Sequence, residues 1–67
     1  MGMKMMENKV LEYIRKYSGY VNVVDIADHF HIGFVEAASI IGSLTRQGKV
    51  RKQDAEDNSG FLVAVKE

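Results

Sequence analysis

The sequence predicts a mainly helical α+β fold, in which three helices are followed by a small antiparallel β-hairpin. Apolar residues recur at helical spacing in three separate segments. Short connections that contain glycine or polar residues separate these segments. The C-terminal segment is rich in β-branched residues and follows a polar turn, which is typical of a hairpin.

The first helix is predicted from Met5 to Tyr17. Its apolar stripe consists of Met6, Val10, Leu11, Ile14 and Tyr17. The helix is expected to end at Ser18-Gly19, with Gly19 in the left-handed conformation that often follows a helix. Because the chain has 67 residues, we expect one domain over residues 1–67, with residues 1–5 disordered.

A brief strand is predicted at residues 20–23, "YVNV", because this segment is aromatic and β-branched. Asn22 is a candidate N-cap for the second helix, and Asp25 is placed like the acidic half of a capping box. The second helix is expected from about Val23 to Phe30. Its inner stripe would be Val23, Ile26, Ala27 and Phe30.

The third helix is predicted from Phe34 to about Gln47. It follows a tight connection in which Gly33 is expected to allow a sharp turn or to cap helix three, and Gly48 is well placed to end the helix. Its inward side would contain Ala37, Ala38, Ile41 and Leu44, with Ile40 beside them.

The predicted hairpin combines a strand at residues 49–55, a polar turn at 56–60 and a strand at 61–67. Alternation places Phe61, Val63 and Val65 on one face, and these are the better candidates for burial. The opposite face would carry Leu62, Ala64 and Lys66.

This order of elements is the winged helix-turn-helix arrangement, with the hairpin as the wing. The segment "DIADHFHIGFVEAASIIGSLTRQGKV", residues 25–50, resembles winged-helix DNA-binding domains, and "LTRQGKV" resembles the end of the recognition helix in many bacterial regulators. Locally, "FHIGFVEAASII" is most similar to the gamma domain of FtsK-type DNA translocases. At positions where that domain carries DNA-contacting arginine and asparagine, this chain has Val35, Glu36 and Ser39.

The resemblance implies that helix three enters the major groove of duplex DNA. The candidate contact residues on that helix and at the base of the wing are Val35, Glu36, Ser39, Ser43, Arg46, Lys49, Arg51 and Lys52. Arg46 is expected to contact a phosphate, since it lies near the helix end. For the wing cations, the alternative is a solvated edge strand guarded by charge. Gly42 would permit close approach, either to DNA or to a packed partner, and the preferred interpretation is tight helix packing.

Other classes of site find little support. Neither a cysteine nor a glycine-rich phosphate loop is present, so no enzyme activity and no cofactor are expected. His29 and His31 form a His-x-His pair near Asp25 and Asp28, yet we expect them to cap or cover the turn, with no metal bound. No apolar window approaches a membrane span, so a cytoplasmic protein is expected.

Two functions remain open. One is a small transcriptional regulator that binds duplex DNA as a homodimer. The candidate dimer surface is Met3, Met5, Met6, Tyr13 and Tyr17 of helix one, and the alternative is that these side chains only complete the core. Nine basic and nine acidic residues give zero net charge, whereas DNA-binding domains are usually basic. The other function is therefore a winged-helix module that binds a protein partner, with Phe34 and Val35 as its exposed anchor.

Overall fold

The computed structural model describes residues 2–17, 19–56 and 60–66, and confirms a mainly helical α+β fold. Three helices are combined with a three-stranded antiparallel sheet of strand order β1-β3-β2. The elements along the chain are α1 (Gly2–Arg15), β1 (Val21–Asn22), α2 (Val23–Phe30), α3 (Phe34–Arg46), β2 (Val50–Asp54) and β3 (Phe61–Val65). This arrangement is compatible with a winged-helix fold, in which β2 and β3 form the wing.

The bounds of α2 and α3 agree closely with the predicted bounds, whereas α1 begins earlier than predicted. Helix α2 has the predicted bounds, and α3 ends one residue before Gln47, which is its C-cap. Helix α1 begins at Gly2 instead of Met5, so it includes residues for which the sequence indicated disorder. Apolar spacing could not reveal this first turn, since it shows only where a helix packs.

The hydrophobic core lies between the three helices and the inner face of the sheet. Its completely buried side chains include Val10 and Ile14 of α1, Ile26 of α2 and Ile41 of α3. Ile40 is also buried, whereas Ala38 is only half-buried. The buried face of α3 is therefore rotated toward Ile40 and away from Ala38, relative to the predicted face. Met6 and Tyr13 pack against this core, which makes them part of the fold as well as of the face predicted for a dimer.

Helix α2 is capped by a side chain at its start and by a backbone turn at its end, and the sequence predicted only the first of these caps. The Asn22 side chain accepts a hydrogen bond from the Val24 N–H at 2.8 Å, which confirms the predicted N-cap. At the other end His31 adopts a left-handed conformation (φ 57°). The Ile32 N–H then donates to the Ala27 carbonyl at 3.0 Å. The chain therefore reverses at His31 and not at Gly33, which is extended (φ −74°). Gly33 is the N-cap of α3, which confirms the cap predicted there as the alternative to a sharp turn.

Helix α3 ends as its glycine predicts, but α1 does not. Gly48 is left-handed (φ 75°), and the Lys49 N–H donates to the Leu44 carbonyl, which is the bonding of a Schellman motif. The left-handed conformation predicted for Gly19 is wrong, since among the described glycines only Gly48 and Gly60 have positive φ. After Arg15 the chain instead tightens, with the Tyr17 N–H bonded to the Ile14 carbonyl at 3.0 Å.

The wing has the predicted alternation, and β1 extends it to a third strand. Val63 is completely buried, while Phe61 and Val65 pack against the core, which confirms the predicted inner face. Val21 pairs with Val63 on the side of β3 away from β2. The pairing of β2 with β3 sets Val50 opposite Val65 and Lys52 opposite Val63, so Lys52 is on the inner face of the sheet.

Gly60 is the position where the wing has least room for a side chain. Its φ is +117°, and a Cβ there would lie 3.1 Å from Cγ1 of the buried Val23. We expect Gly60→Ala to lower the free energy of unfolding by roughly 1–3 kcal/mol, since alanine is strained at this φ. Urea denaturation measures the loss. Gly19→Ala is the control, because nothing lies within 4 Å of a Cβ there, and equal losses in both variants would contradict the expectation.

Candidate nucleic-acid interface

The outward side of α3 is a narrow stripe of Val35, Ser39, Gly42 and Arg46. These residues are spaced four, three and four apart, so they lie along one line of the helix. Val35 is 81% exposed, and Ser39 and Arg46 are exposed as well. The opposite side of α3 holds the buried Ala37, Ile40, Ile41 and Leu44. The stripe is therefore the part of α3 that a duplex could contact.

Arg46 does not extend away from the end of the helix. Its Nη1 lies 3.6 Å from the position that a Cβ on Gly42 would occupy, so the guanidinium lies back along α3 by about one turn. Side chains of a helix generally point toward its N-terminus, which favours this direction. The cation is thus placed beside the middle of the stripe. A base contact becomes as accessible to it as the phosphate contact that the sequence suggested.

Gly42 is not explained by tight packing inside the fold. Among the described residues, only the Arg46 guanidinium would come within 4 Å of a Cβ at this position. The preferred interpretation from the sequence, that Gly42 allows close helix packing, is therefore wrong for this chain. The remaining interpretation is close approach by a bound molecule.

Ser43 lies on the flank of α3 that faces α1, outside the stripe. It is half-buried, and its hydroxyl donates a hydrogen bond to Oε2 of Glu7 at 2.7 Å. The Gln47 side-chain amide donates to Oε1 of the same carboxylate at 3.0 Å. Ser43 therefore fixes α3 against α1. Sequence reasoning missed Glu7 and Gln47 because their contact depends on how two distant helices pack.

The four cations predicted at the end of α3 and the base of the wing do not form one patch. Arg51 pairs with Ala64 on the outer face of the sheet, whereas Lys52 pairs with Val63 on the inner face. The Lys52 Nζ lies 4.8 Å from the centre of the Phe61 ring, a cation–π contact. The Phe61 ring in turn meets Phe34 of α3 edge-on, with centres 6.2 Å apart. Lys52 is therefore on the α3 side of the wing.

Lys49 and Glu36 complete the positions that the sequence indicated. Lys49 is exposed in the connection between α3 and β2. Glu36 is exposed in the first turn of α3, one residue off the stripe. Further exposed acidic side chains are Asp25 and Asp28 on α2, and Asp54 and Glu56 on the wing. Asp57, which the sequence placed at the wing tip, lies outside the described residues.

An exposed apolar pair lies at the start of α3. Phe34 is 47% exposed and Val35 is 81% exposed. Neighbouring exposed apolar side chains form the kind of patch that marks an interaction site when it is large enough. This is the exposure that a protein-binding anchor at Phe34 and Val35 requires.

The two histidines have structural roles. His29 stacks on Tyr13 of α1, with ring centres 4.3 Å apart, and His31 supplies the left-handed residue after α2. The expectation that they cap or cover the turn is confirmed. Within residues 2–17, 19–56 and 60–66, no three His, Cys, Asp or Glu side chains are grouped so that they could hold a metal ion. No helix in that part of the chain has the length and apolar character needed to cross a bilayer.

Comparison with protein families gives a match over most of the chain. The family model described as FaeA-like protein matches residues 6–58, which include most of α1 and the whole of β1, α2, α3 and β2. Neither the curated proteins nor the solved structures contain a significant match to the chain. The local resemblance of helix three to the gamma domain of DNA translocases stays a prediction.

Proposed function

This chain belongs to the FaeA-like protein family, and we propose that it is a small transcriptional regulator that docks on duplex DNA through the outward stripe of α3. The observation that carries the proposal is the stripe itself, defined by Val35, Ser39, Gly42 and Arg46. Val35, Ser39 and Arg46 are exposed, Gly42 is half-buried, and the stripe contains no acidic side chain. A helix with such a face can enter the major groove.

Each side chain of the stripe has a partner in the major groove. The Arg46 guanidinium suits the two acceptors of guanine, the Ser39 hydroxyl can donate or accept, and the apolar Val35 suits a thymine methyl group. A single module with these contacts and no net charge makes few phosphate contacts. We therefore include a homodimer in the proposal, since two copies would double them.

A titration of a fluorescent random duplex tests this proposal. We expect saturable binding at low salt that weakens steeply as salt increases, because phosphate contacts release counterions. Circular dichroism under the same conditions verifies that the protein stays folded. A folded protein that binds no duplex at any salt concentration would contradict the proposal.

A second function is favoured by the exposed Phe34 and Val35 at the start of α3. In this alternative, the same end of α3 is the anchor of a protein interface. The exposed Glu36 in the first turn of α3 and the zero net charge of the chain disfavour contact with phosphates. The salt titration separates the two functions. Failure to bind any duplex, in a folded protein, is the result expected for the second.

If the protein binds DNA as proposed, cations on the two faces of the wing should contribute differently to the binding. Because Lys52 is on the α3 side of the wing, we expect Lys52→Gln to weaken duplex binding and to reduce the slope of log affinity against log salt by about one. Arg51→Gln removes the same charge from the outer face, so we expect the slope to stay unchanged. Equal effects of the two variants would show that the wing does not bind DNA with its Lys52 face toward the duplex.

A further inference from the structure

Gly42 lies within helix α3, where glycine lowers the stability of the fold. It is the ninth residue of the 13-residue helix α3, far from either end. Glycine in a helix interior is less stable than alanine because it loses more backbone freedom on folding. Both Gly48 and Gly60 have positive φ, which accounts for glycine at those positions. Gly42 has no such requirement, since its backbone is helical.

Steric room does not account for Gly42 either. A Cβ at this position would contact only the Arg46 guanidinium among the described residues, at an ordinary van der Waals distance of 3.6 Å. Alanine would thus fit the isolated protein and stabilise it. A glycine that the fold does not require, on the exposed side of a helix, points to a bound molecule that needs the space.

We infer that Gly42 is the point at which a bound duplex comes closest to the backbone of α3. This inference rests on the proposed function. It specifies which residue of α3 lies at the centre of the contact and why the helix can lie deep in the groove. An α-helix with its side chains is about 10–12 Å across, which nearly fills the major groove, about 12 Å wide. A position without a side chain at the middle of the inserted face lets the helix lie deeper. Ser39 and Arg46, one turn to either side, then reach the base edges.

The residues beside Gly42 favour a duplex as the occupant. Ser39 and Arg46 provide hydrogen-bond donors on both sides of the glycine, and the guanidinium already lies next to it. The apolar side chain of the stripe, Val35, is at its far end, two turns away. Polar donors around a gap suit base edges, whereas an apolar partner would require apolar neighbours.

Gly42→Ala tests the inference by separating stability from binding. We expect the melting temperature to rise by about 2–6 °C, as for removal of a helix-interior glycine. We expect the same variant to weaken binding of a random duplex by at least about fivefold, or roughly 1 kcal/mol. Gly42→Gln should weaken it further, because its side chain fills more of the space. Gly19→Ala is the control, since it adds a methyl group in open space outside α3 and should leave duplex affinity unchanged.

Two comparisons distinguish the inference from simpler explanations. If the wild-type protein binds no duplex, the proposed function fails and the inference fails with it. If the wild-type protein binds but Gly42→Ala binds equally well, only the inference is overturned. We also expect the loss caused by Gly42→Ala to persist in an Arg46→Ala background. Disappearance of the loss in that background would mean that alanine acts by displacing Arg46, which contradicts direct approach of the duplex.

Discussion

Arg46→Ala is expected to weaken binding of duplex DNA by about tenfold or more at low salt. Its guanidinium is the only cation on the outward stripe of α3, and it lies beside the middle of that stripe. A guanidinium bonded to two acceptors of one base contributes about 1–3 kcal/mol to discrimination, in addition to its charge. Fluorescence anisotropy with a random duplex measures the average loss, and a panel of sequences measures the part that depends on bases.

Two further arginine variants define the control. Arg15→Ala removes the same charge from the exposed last turn of α1, outside the stripe, so we expect little change in duplex affinity. Arg46→Lys keeps the charge but loses the planar pair of donors, and should recover only part of the binding. Equal losses for Arg15→Ala and Arg46→Ala would indicate attraction by overall charge, without a contact centred on α3.

Ile41→Ala is expected to have the largest effect on stability, a loss of about 2–5 kcal/mol. Ile41 is completely buried at the centre of α3, where its side chain belongs to the core formed by all three helices. Since a single core in a chain of 67 residues seldom contributes more than about 3–5 kcal/mol of stability, this loss approaches global unfolding. Urea denaturation followed by circular dichroism measures it.

Val35→Ala is the matched control, because it also shortens a β-branched side chain of α3. Val35 is 81% exposed, so its truncation should change the free energy of unfolding by less than about 0.5 kcal/mol. Similar losses for Val35→Ala and Ile41→Ala would mean that α3 is not oriented with its stripe outward. Duplex binding would then have to be assigned to another face.

Local signals in the sequence were sufficient for most of the fold. The apolar spacing predicted the buried Ile26 and Ile41, because helix periodicity determines which side chains share a face. Asn22 and Gly48 predicted the start of α2 and the end of α3, since each satisfies backbone groups within a few residues of itself. Alternation in the last strand predicted Val63 on the inner face for the same local reason.

Features that depend on packing between distant segments were missed. The pairing of Val21 with Val63 joins residues far apart in the sequence, so "YVNV" alone could not show that it completes the sheet. The contact of Ser43 with Glu7 depends on the position of α1 against α3, and this contact removed Ser43 from the DNA face. His31 took the left-handed conformation expected of a glycine, which residue preferences would not predict.

The most direct measurement of DNA docking by α3 is a map of backbone amide shifts by NMR during titration with duplex DNA at low salt. Docking through the stripe requires the largest changes at Val35, Ser39, Gly42 and Arg46, with smaller changes at Lys52. The amides of Asp25 and Asp28 on α2, whose side chains repel phosphates, should change little. Changes concentrated on α1, or no change in a folded protein at saturating duplex, would contradict the assignment of α3 as the DNA-binding element.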